Sequence, residues 1–156
     1  MAIARDLIIE DIVSSLEGID GTGDYVNTVD TVARYARTWN EVNNRRATGT
    51  GSDQRPWIGV VPGVETYEYQ PGDCIRVSLT VNLFCHLDGA TLAARQQGLN
   101  DLLDDIFIAI MADQTLGGNA VSVYINSSQT DEVDEYGTAS MLVTMTVIYF
   151  RDTGVS

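Results

Sequence analysis

The amino-acid sequence predicts an α+β fold, a two-layer sandwich in which two helices cover one face of a mostly antiparallel sheet. Two segments, Leu7 to Glu17 and Ala90 to Ala112, place apolar residues at helical spacing. The remaining regular segments alternate apolar and polar residues, and turn residues join them in succession, which favours antiparallel pairing. With 156 residues, no internal repeat and no internal boundary, the chain is predicted to form one domain over residues 1–156.

The N-terminal helix is predicted from its apolar stripe and from the signal that ends it. The stripe consists of Ile8, Ile9, Ile12, Val13 and Leu16. Gly18 ends the helix, and Asp20-Gly21-Thr22-Gly23 is a turn sequence. Tyr25 to Arg37 is rich in Val, Thr and Tyr and is predicted as a strand. Helix is the competing interpretation of its second half, because alanine and arginine there are good helix formers.

The segment from Glu41 to Arg55 is predicted as a long mobile loop. It has no apolar periodicity and is rich in Gly, Ser and Thr. Loops of this length are uncommon in compact domains and are often functional. Arg45, Arg46 and Arg55 gather positive charge there, so the loop is a candidate contact for an acidic partner. A disordered surface loop without a partner is the alternative.

The middle of the chain is predicted to be extended. Trp57 to Val61 is a short apolar strand that ends at Pro62-Gly63, and the polar segment Glu65 to Gln70 follows. Asp73 to Leu87 is the clearest strand in the chain. Its apolar face comprises Ile75, Val77, Leu79, Val81, Leu83, Cys85 and Leu87, and its polar face comprises Arg76, Ser78, Thr80, Asn82 and His86, interrupted by Phe84.

The C-terminal part is predicted as a helix followed by two strands. The buried stripe of the helix consists of Leu92, Leu99, Leu102, Leu103, Ile106, Phe107 and Ile110, with Asp101, Asp104 and Asp105 opposite or beside it. Leu116-Gly117-Gly118 is the predicted helix exit. Val121 to Asn126 is predicted as a strand, Ser127 to Gly137 as an acidic turn region, and Met141 to Tyr149 as the last strand.

The charge of the chain disfavours some partners. The formal net charge is −13, and every cationic side chain is an arginine. Such a surface repels nucleic-acid phosphates and anionic membranes at long range. A protein that grips DNA is therefore disfavoured, whereas a negatively lined passage through which DNA slides is not. Solubility alone is the alternative explanation of the acidity.

The cysteines and the N-terminus predict a cytosolic protein that is not secreted through a signal peptide. Cys74 and Cys85 fall in one predicted strand at an odd separation, so they point to opposite faces and are too far apart for a disulfide. Two buried free thiols fit a cytosolic protein. The first residues lack the pattern of a signal peptide, and no apolar stretch is long enough to span a membrane.

No residue constellation in the sequence predicts catalysis or a metal site. His86 is the one histidine, and its strand neighbours point away from it, so a structural or surface role is favoured over zinc. Asp101, Asp104 and Asp105 could hold magnesium on a helix face, but no phosphate-binding glycine loop accompanies them. A solvated face, or contact with an arginine of a neighbouring subunit, is favoured. The serines have no histidine or acid at a recognisable spacing. We therefore predict no enzyme activity, no cofactor and no metal.

The segments of this chain resemble those of a known protein family in their sequence and order. The helix "LNDLLDDIFIAIMAD", the exit "QTLGGNAVSVYI" and the last strand "VTMTVIYFRD" resemble the tail terminator proteins of long-tailed bacteriophages, also described as tail completion or neck proteins. Upstream, "DLIIEDIVSSLEGI", "RPWIGVVPGVETYEY" and "CIRVSLTVNLFCHL" follow in the order of that family. The resemblance extends from about Leu7 to Asp152.

The resemblance implies a structural role in the virion at the head–tail junction, for a protein made in the host cytoplasm. Tail terminators are small α/β subunits that assemble as a hexameric ring on the last ring of the tail tube. The ring stops tube growth and provides the surface that joins the head, without enzymatic activity or a cofactor. The implied partners are other copies of this chain, the tail tube protein and the head completion or connector protein. DNA passes through the lumen without specific binding, which suits an acidic subunit.

Interface roles are assigned to segments that the subunit's own core does not explain. Besides the arginines of the 41–55 loop, they are Arg76, Ser78, Thr80 and Asn82 on the polar strand face, with Tyr67 and Tyr69 as further contact residues. The alternative for the strand face is a solvated sheet surface. Candidates for the lumen or an end face are Asp131, Glu132, Asp134 and Glu135, with a solvated hairpin tip as the alternative. Core packing is favoured for Trp57.

Two other interpretations of the sequence stay open. The first is a different particle component, namely a tail tube subunit or a head completion (connector) protein, because such subunits also combine a sheet with helices and form rings. The second is a small metal-binding domain or an enzyme, which bound metal at Asp101, Asp104 and Asp105 or at His86 would support.

Overall fold

The computed structural model describes residues 4–29, 31–34, 56–88, 91–131 and 138–152. In chain order, the elements are helix α1 (Ala4–Glu17), strand β1 (Thr31–Ala33), strand β2 (Trp57–Gln70), strand β3 (Cys74–Asp88), helix α2 (Leu92–Met111), strand β4 (Ser122–Asp131) and strand β5 (Thr138–Asp152). The strands form one five-stranded sheet in the order β1-β2-β3-β5-β4. The predicted α+β class is therefore confirmed.

The sheet is built around strands β3 and β5. Strand β3 pairs with β2 on one side and with β5 on the other, both antiparallel, and β4 adds to the outer side of β5. The short β1 is the exception, because it runs parallel to β2. The hairpin between β2 and β3 closes at Gly72 and Asp73, whose φ angles of 85° and 60° need the left-handed region that glycine and aspartate tolerate best.

The core lies between the helices and one face of the sheet. The alternation predicted for β3 is confirmed, because its residues from Ile75 to Leu87 in steps of two are all buried in this core. Helix α1 adds Ile8, Ile9, Ile12 and Leu16, and α2 adds Leu99, Leu102, Ile106, Ala109 and Ile110. Phe107 and Leu92, predicted in the buried stripe of α2, are instead exposed.

Strand β2 is one continuous element, where the sequence predicted a short strand that ends at Pro62. The strand passes Pro62 with a register shift between Pro62 and Glu65. A bulge of this kind accommodates a residue that cannot donate a ladder hydrogen bond. The bulge also changes which residues of β2 face the helices. Before it, the even-numbered Ile58 and Val60 face the core. After it, the odd-numbered residues do, since Tyr67 pairs with core residue Val77.

The predicted strand from Tyr25 to Arg37 is mostly wrong in the described residues. Only Thr31–Ala33 is a strand, and residues 25–29 form an irregular connection. The reason is that the backbone N–H groups of Val26 and Asn27 donate to the carboxylate of Asp105 rather than to a neighbouring strand. Residues 35–37 lie outside the described part.

The C-terminal elements also differ from the prediction. Strand β4 continues to Asp131, whereas a turn was predicted from Ser127, because a register shift after Ile125 lets the polar residues 127–131 keep pairing with β5. Helix α2 ends at Met111, before the predicted glycine exit. Gly117 and Gly118 instead shape the loop beyond it, with φ angles of 68° and 89°. Cys85 is buried as predicted, but Cys74 is only half-buried.

Candidate functional site

The polar face of β3 lies on the side of the sheet opposite the helices. We call this side the open face; on β3 and β5 it carries the even-numbered residues from Arg76 to His86 and from Ser140 to Phe150. The described helices pack on the other face. Arg76, Ser78, Thr80 and Asn82 therefore share one surface, as the alternation predicted, and all four are half-buried.

Several polar groups of the open face satisfy one another across the strands. Arg76 forms an ion pair with Glu68 at 3.6 Å. Thr144 Oγ1 donates to Asn82 Oδ1 at 3.4 Å, and Asn126 Nδ2 donates to Thr146 Oγ1 at 2.7 Å. Large apolar side chains that the sequence analysis did not assign lie among them: Phe84, Tyr124, Leu142, Ile148 and Phe150. The open face is thus a mixed surface, as in protein interfaces.

Tyr67 and Tyr69 do not join that surface. The β2 bulge places them on the helix-covered side, where Tyr69 is the cross-strand neighbour of Ile75, and Ile75 in turn pairs with Arg151 of β5. They lie toward the end of the sheet and stay 51% and 76% exposed. The predicted contact residues therefore belong to two surfaces on opposite sides of the sheet.

A half-buried carboxylate, that of Glu65, orients this tyrosine region. Glu65 accepts a hydrogen bond from Tyr67 Oη at 2.7 Å and another from Tyr149 Oη at 2.8 Å. Arg5 of helix α1 lies 3.6 Å from the same carboxylate. The sequence analysis assigned no role to Glu65, Tyr149 or Arg5, because their contact joins α1, β2 and β5 and no local pattern contains it.

The electrostatics of the cluster keep Glu65 ionised. Burial acts to raise its pKa, but the hydrogen bonds from Tyr67 and Tyr149 and the charges of Arg5 and Arg151 outweigh burial, and the pKa is lowered from 4.5. The hydrogen bond to Glu65 raises the pKa of Tyr67. Burial and then the same carboxylate raise the pKa of Tyr149. Both phenols are therefore neutral donors, and the cluster fixes side chains rather than transferring protons.

We expect Glu65→Gln to lower the Tm by about 3–6 °C at pH 7, through the loss of charge-assisted hydrogen bonds. A carboxyl with a lowered native pKa stabilises the fold fully above its ordinary pKa and loses that contribution as pH falls through the native value. The Tm difference between wild type and Glu65→Gln should therefore shrink as the pH falls below 4.5 in thermal melts. Glu68→Gln, at an exposed carboxylate, is the control; an equal effect there would contradict the expectation.

The open face also contains a cavity of about 240 Å³ near the N-terminal end of β5. It is lined by Phe84, Cys85, His86, Gln129, Ser140, Met141 and Leu142. His86 and Ser140 are direct cross-strand neighbours, and Ser140 Oγ lies 3.2 Å from His86 Nδ1. On the other side, the His86 ring lies 5.7 Å from the ring of Trp57. Trp57 is buried as predicted, but in the open-face row of His86 rather than in the core between helices and sheet.

The sequence analysis found no histidine paired with a serine, and the structure brings one such pair together. A hydrolase also needs backbone donors aimed at a developing oxyanion. His86 and Ser140 each lie between two paired strands, so their backbone N–H groups belong to the sheet ladder. Burial raises the pKa of the Cys85 thiol to about 12, so this thiol is a poor nucleophile. The geometry favours a structural role for the pair.

We expect a fluorophosphonate probe to leave Ser140 unlabelled under conditions in which a serine hydrolase is labelled completely. Intact-protein mass spectrometry would read the adduct. Stoichiometric labelling of the wild type that is lost in Ser140→Ala would contradict this expectation and would support the enzyme alternative.

The three aspartates of α2 do not form a metal site. Asp105 is fully buried and accepts from Val26 and Asn27, Asp101 accepts from Gln97 Nε2 at 2.9 Å, and Asp104 is exposed. Among the described residues, no group of three potential ligands could hold a metal ion. The favoured solvated face was wrong for Asp105, which is fully buried. Its spacing from Leu102 and Ala109 places it at the stripe's edge, a signal that could have identified it.

The remaining predicted residues are less informative. Asp131 is the last residue of β4, where its backbone pairs with Ser140. Arg45, Arg46, Arg55, Glu132, Asp134 and Glu135 lie outside the described residues. No helix in the described ranges is long and apolar enough to cross a membrane.

Comparisons with known proteins add no family to this description. No protein-family model matches the chain, and no curated protein matches it either. The resemblance to tail terminators therefore rests on the order and spacing of the sequence segments. The function that it implies for this chain is a proposal.

Proposed function

We propose that this chain is a structural virion protein, a subunit of a ring that caps the tail tube, stops its growth and provides the head-joining surface. The open face is the observation that carries this proposal. It is a broad surface of mixed aromatic, aliphatic and hydrogen-bonding side chains, on which neither described helix packs. A surface of this composition fits a protein partner better than a small substrate.

The charge of the chain supports the same role. Six such subunits around a channel would surround DNA with a strongly acidic assembly, since each carries a net charge of −13. Phosphates would not adhere to its lumen, and DNA would pass without specific binding. The partners of the two ring faces would be the tail tube protein and the head completion or connector protein.

Immunogold labelling of purified virions tests the proposal, together with light scattering on the isolated protein. Label confined to the head–tail junction, at about one hexamer per particle, is the expected result, whether the free protein is monomeric or a ring. Label along the whole tail would replace the proposal with a tail tube subunit. Label absent from every particle, together with no signal in blots of disrupted virions from an antibody that detects the purified protein, would overturn a structural role in the particle.

A further inference from the structure

The outer edge of strand β4 is a free sheet edge beside an apolar flank of helix α2, formed by Leu103, Phe107 and Met111. Strand β4 is the last in the sheet order, so no strand of the described chain pairs with its outer side. We infer that this edge binds an extended segment of another protein, with apolar residues at alternate positions and arginine or lysine between them. The segment would lengthen the sheet by one strand. This inference goes beyond the proposed ring and does not depend on it.

Strand β4 lacks most of the features that protect sheet edges from further pairing. It is ten residues long and, from Ser122 to Thr130, contains no charged residue and no proline. Its one irregularity is the register shift after Ile125, beyond which its pairing with β5 resumes. The opposite edge is better protected, because β1 has only three residues and β2 carries Pro62, a bulge and the charge of Glu68. Of the two edges of the described sheet, that of β4 is therefore the one suited to a partner strand.

The apolar flank of α2 faces the same edge. Asp105 accepts hydrogen bonds from Val26 and Asn27, which follow α1, so its side of the helix is turned toward α1. Phe107 lies about 200° further around the helix, on the opposite flank. Helix α1 packs over β1 and β2, whereas α2 packs over β3, β5 and β4. The flank of α2 that is turned away from α1 is therefore turned toward the β4 edge.

The apolar flank predicts the side chains of the partner segment. Phe107 and Met111 remain 41% and 38% exposed, and Leu103, one turn before Phe107, is half-buried. A strand added to β4 points every second side chain to the helix-covered face, next to this flank. Apolar residues at those positions would remove both surfaces from water, which stabilises the complex. Alternate apolar residues are therefore the expected pattern of the segment.

The charges around the edge favour a cationic segment. The chain has a formal net charge of −13, and Asp104 is an exposed neighbour of Phe107 on α2, three residues before it. An acidic segment would be repelled by this surface, whereas arginine or lysine between the apolar residues would be attracted to it. The uncharged β4 allows either kind of segment to pair, so the surrounding acidic residues decide the choice.

Hydrogen exchange followed by NMR tests the strand pairing. The probe is a synthetic ten-residue peptide in which valine alternates with arginine and threonine. On its addition, amides within Ser122–Asp131 that face away from β5 should become protected, whereas amides of residues 65–70 in β2 should not change. No protection of β4 at peptide concentrations up to about 1 mM would overturn the inference. Concentration-dependent protection of β4 in the protein alone would assign the edge to a second copy of this chain and overturn the proposed partner.

Backbone methylation of the peptide separates strand pairing from side-chain contact. Two peptides of the same sequence carry N-methyl groups on alternate amides, one on its valines and the other on the residues between them. An added strand turns one of these two sets of amides toward β4, so one methylated peptide should bind and the other should not. Equal affinities of the two methylated peptides would overturn the strand pairing.

Variants of α2 test the apolar flank. Phe107→Ala should weaken peptide binding at least about tenfold in fluorescence anisotropy. Ile108→Ala is the matched control and should change the Kd by less than about twofold. Ile108 is similarly exposed, at 37%, but it lies about 200° around the helix from the buried Ile106, on the side away from the sheet. Equal effects of the two variants would overturn the assignment of the flank.

The salt dependence of binding tests the charge of the segment. Asp104→Asn should weaken peptide binding about threefold at low ionic strength, and the difference from wild type should shrink as salt is added. Glu10→Gln, at an exposed carboxylate of α1, is the control and should leave the Kd unchanged. An equal loss in both variants would show that net charge alone attracts the peptide and would overturn the role of Asp104.

Discussion

Replacing Asp105 with alanine is expected to lower the free energy of unfolding by about 3 kcal/mol. The Asp105 carboxylate is fully buried, and it accepts hydrogen bonds from Val26 N at 2.9 Å, Asn27 N at 2.9 Å and Asn27 Nδ2 at 3.0 Å. Hydrogen bonds to a charged acceptor contribute about 1.5–3 kcal/mol each. The total stays below their sum, because the carboxylate loses hydration on burial and water can reach the partly exposed segment in the variant.

Urea denaturation would measure this loss, and hydrogen exchange would locate it. The amides of Val26 and Asn27 should exchange faster in Asp105→Ala by a larger factor than amides of β3. Glu10→Ala, at an exposed carboxylate of α1, is the matched control and should change stability by less than about 0.5 kcal/mol. Equal stabilities of the two variants would show that the Asp105 hydrogen bonds do not hold the 26–27 segment.

Replacing Gly98 with valine is expected to destabilise the protein by about 3 kcal/mol, although Gly98 lies inside a helix. At a solvent-facing helix position, replacing glycine usually stabilises, because glycine is a poor helix former. A Cβ atom on Gly98 would instead collide with the side chain of Leu87, which is buried in the core. Because α2 approaches β3 closely at this position, replacing the glycine is expected to lower the stability of the protein rather than raise it.

The collision with Leu87 can be separated from helix propensity with a double-mutant cycle. Gly98→Val and Leu87→Ala should each destabilise, and the double variant should lose at least about 1 kcal/mol less than the sum of the two. Asn100→Ala, two residues away on the exposed side of α2, should leave stability unchanged or slightly raised. Additive effects, or a gain in stability from Gly98→Val alone, would contradict the expected contact with Leu87.

The two helices and strands β3 and β5 could be predicted because their signals are local. The alternation in β3 and the apolar stripe of α1 predict which side chains face the core. The same alternation placed Arg76, Ser78, Thr80 and Asn82 together on one face, as the structure has them. For these residues, the pattern of neighbouring residues along the chain was enough to predict the face of the sheet on which they lie.

The candidate surfaces needed information that no local pattern contains. Tyr67 and Arg76 would share a face if β2 and β3 alternated without interruption, but the bulge after Pro62 separates them. In the Glu65 cluster, the hydrogen bond from Tyr149 to Glu65 joins residues that are 84 positions apart. The pairing of His86 with Ser140 likewise depends on the register of β3 and β5, which are separated along the chain by helix α2 and strand β4.

The sequence by itself determined the α+β class, the core faces of α1 and β3, and the acidic character of this protein, because periodicity and charge are properties of the chain. Tertiary structure alone decided the strand order and the burial of Asp105. It also decided the separation of Tyr67 and Tyr69 from the open face. The physical reason is that a cross-strand neighbour or a buried hydrogen-bond donor is supplied by another part of the chain. Val26, for example, lies 79 residues from the Asp105 carboxylate to which its backbone donates.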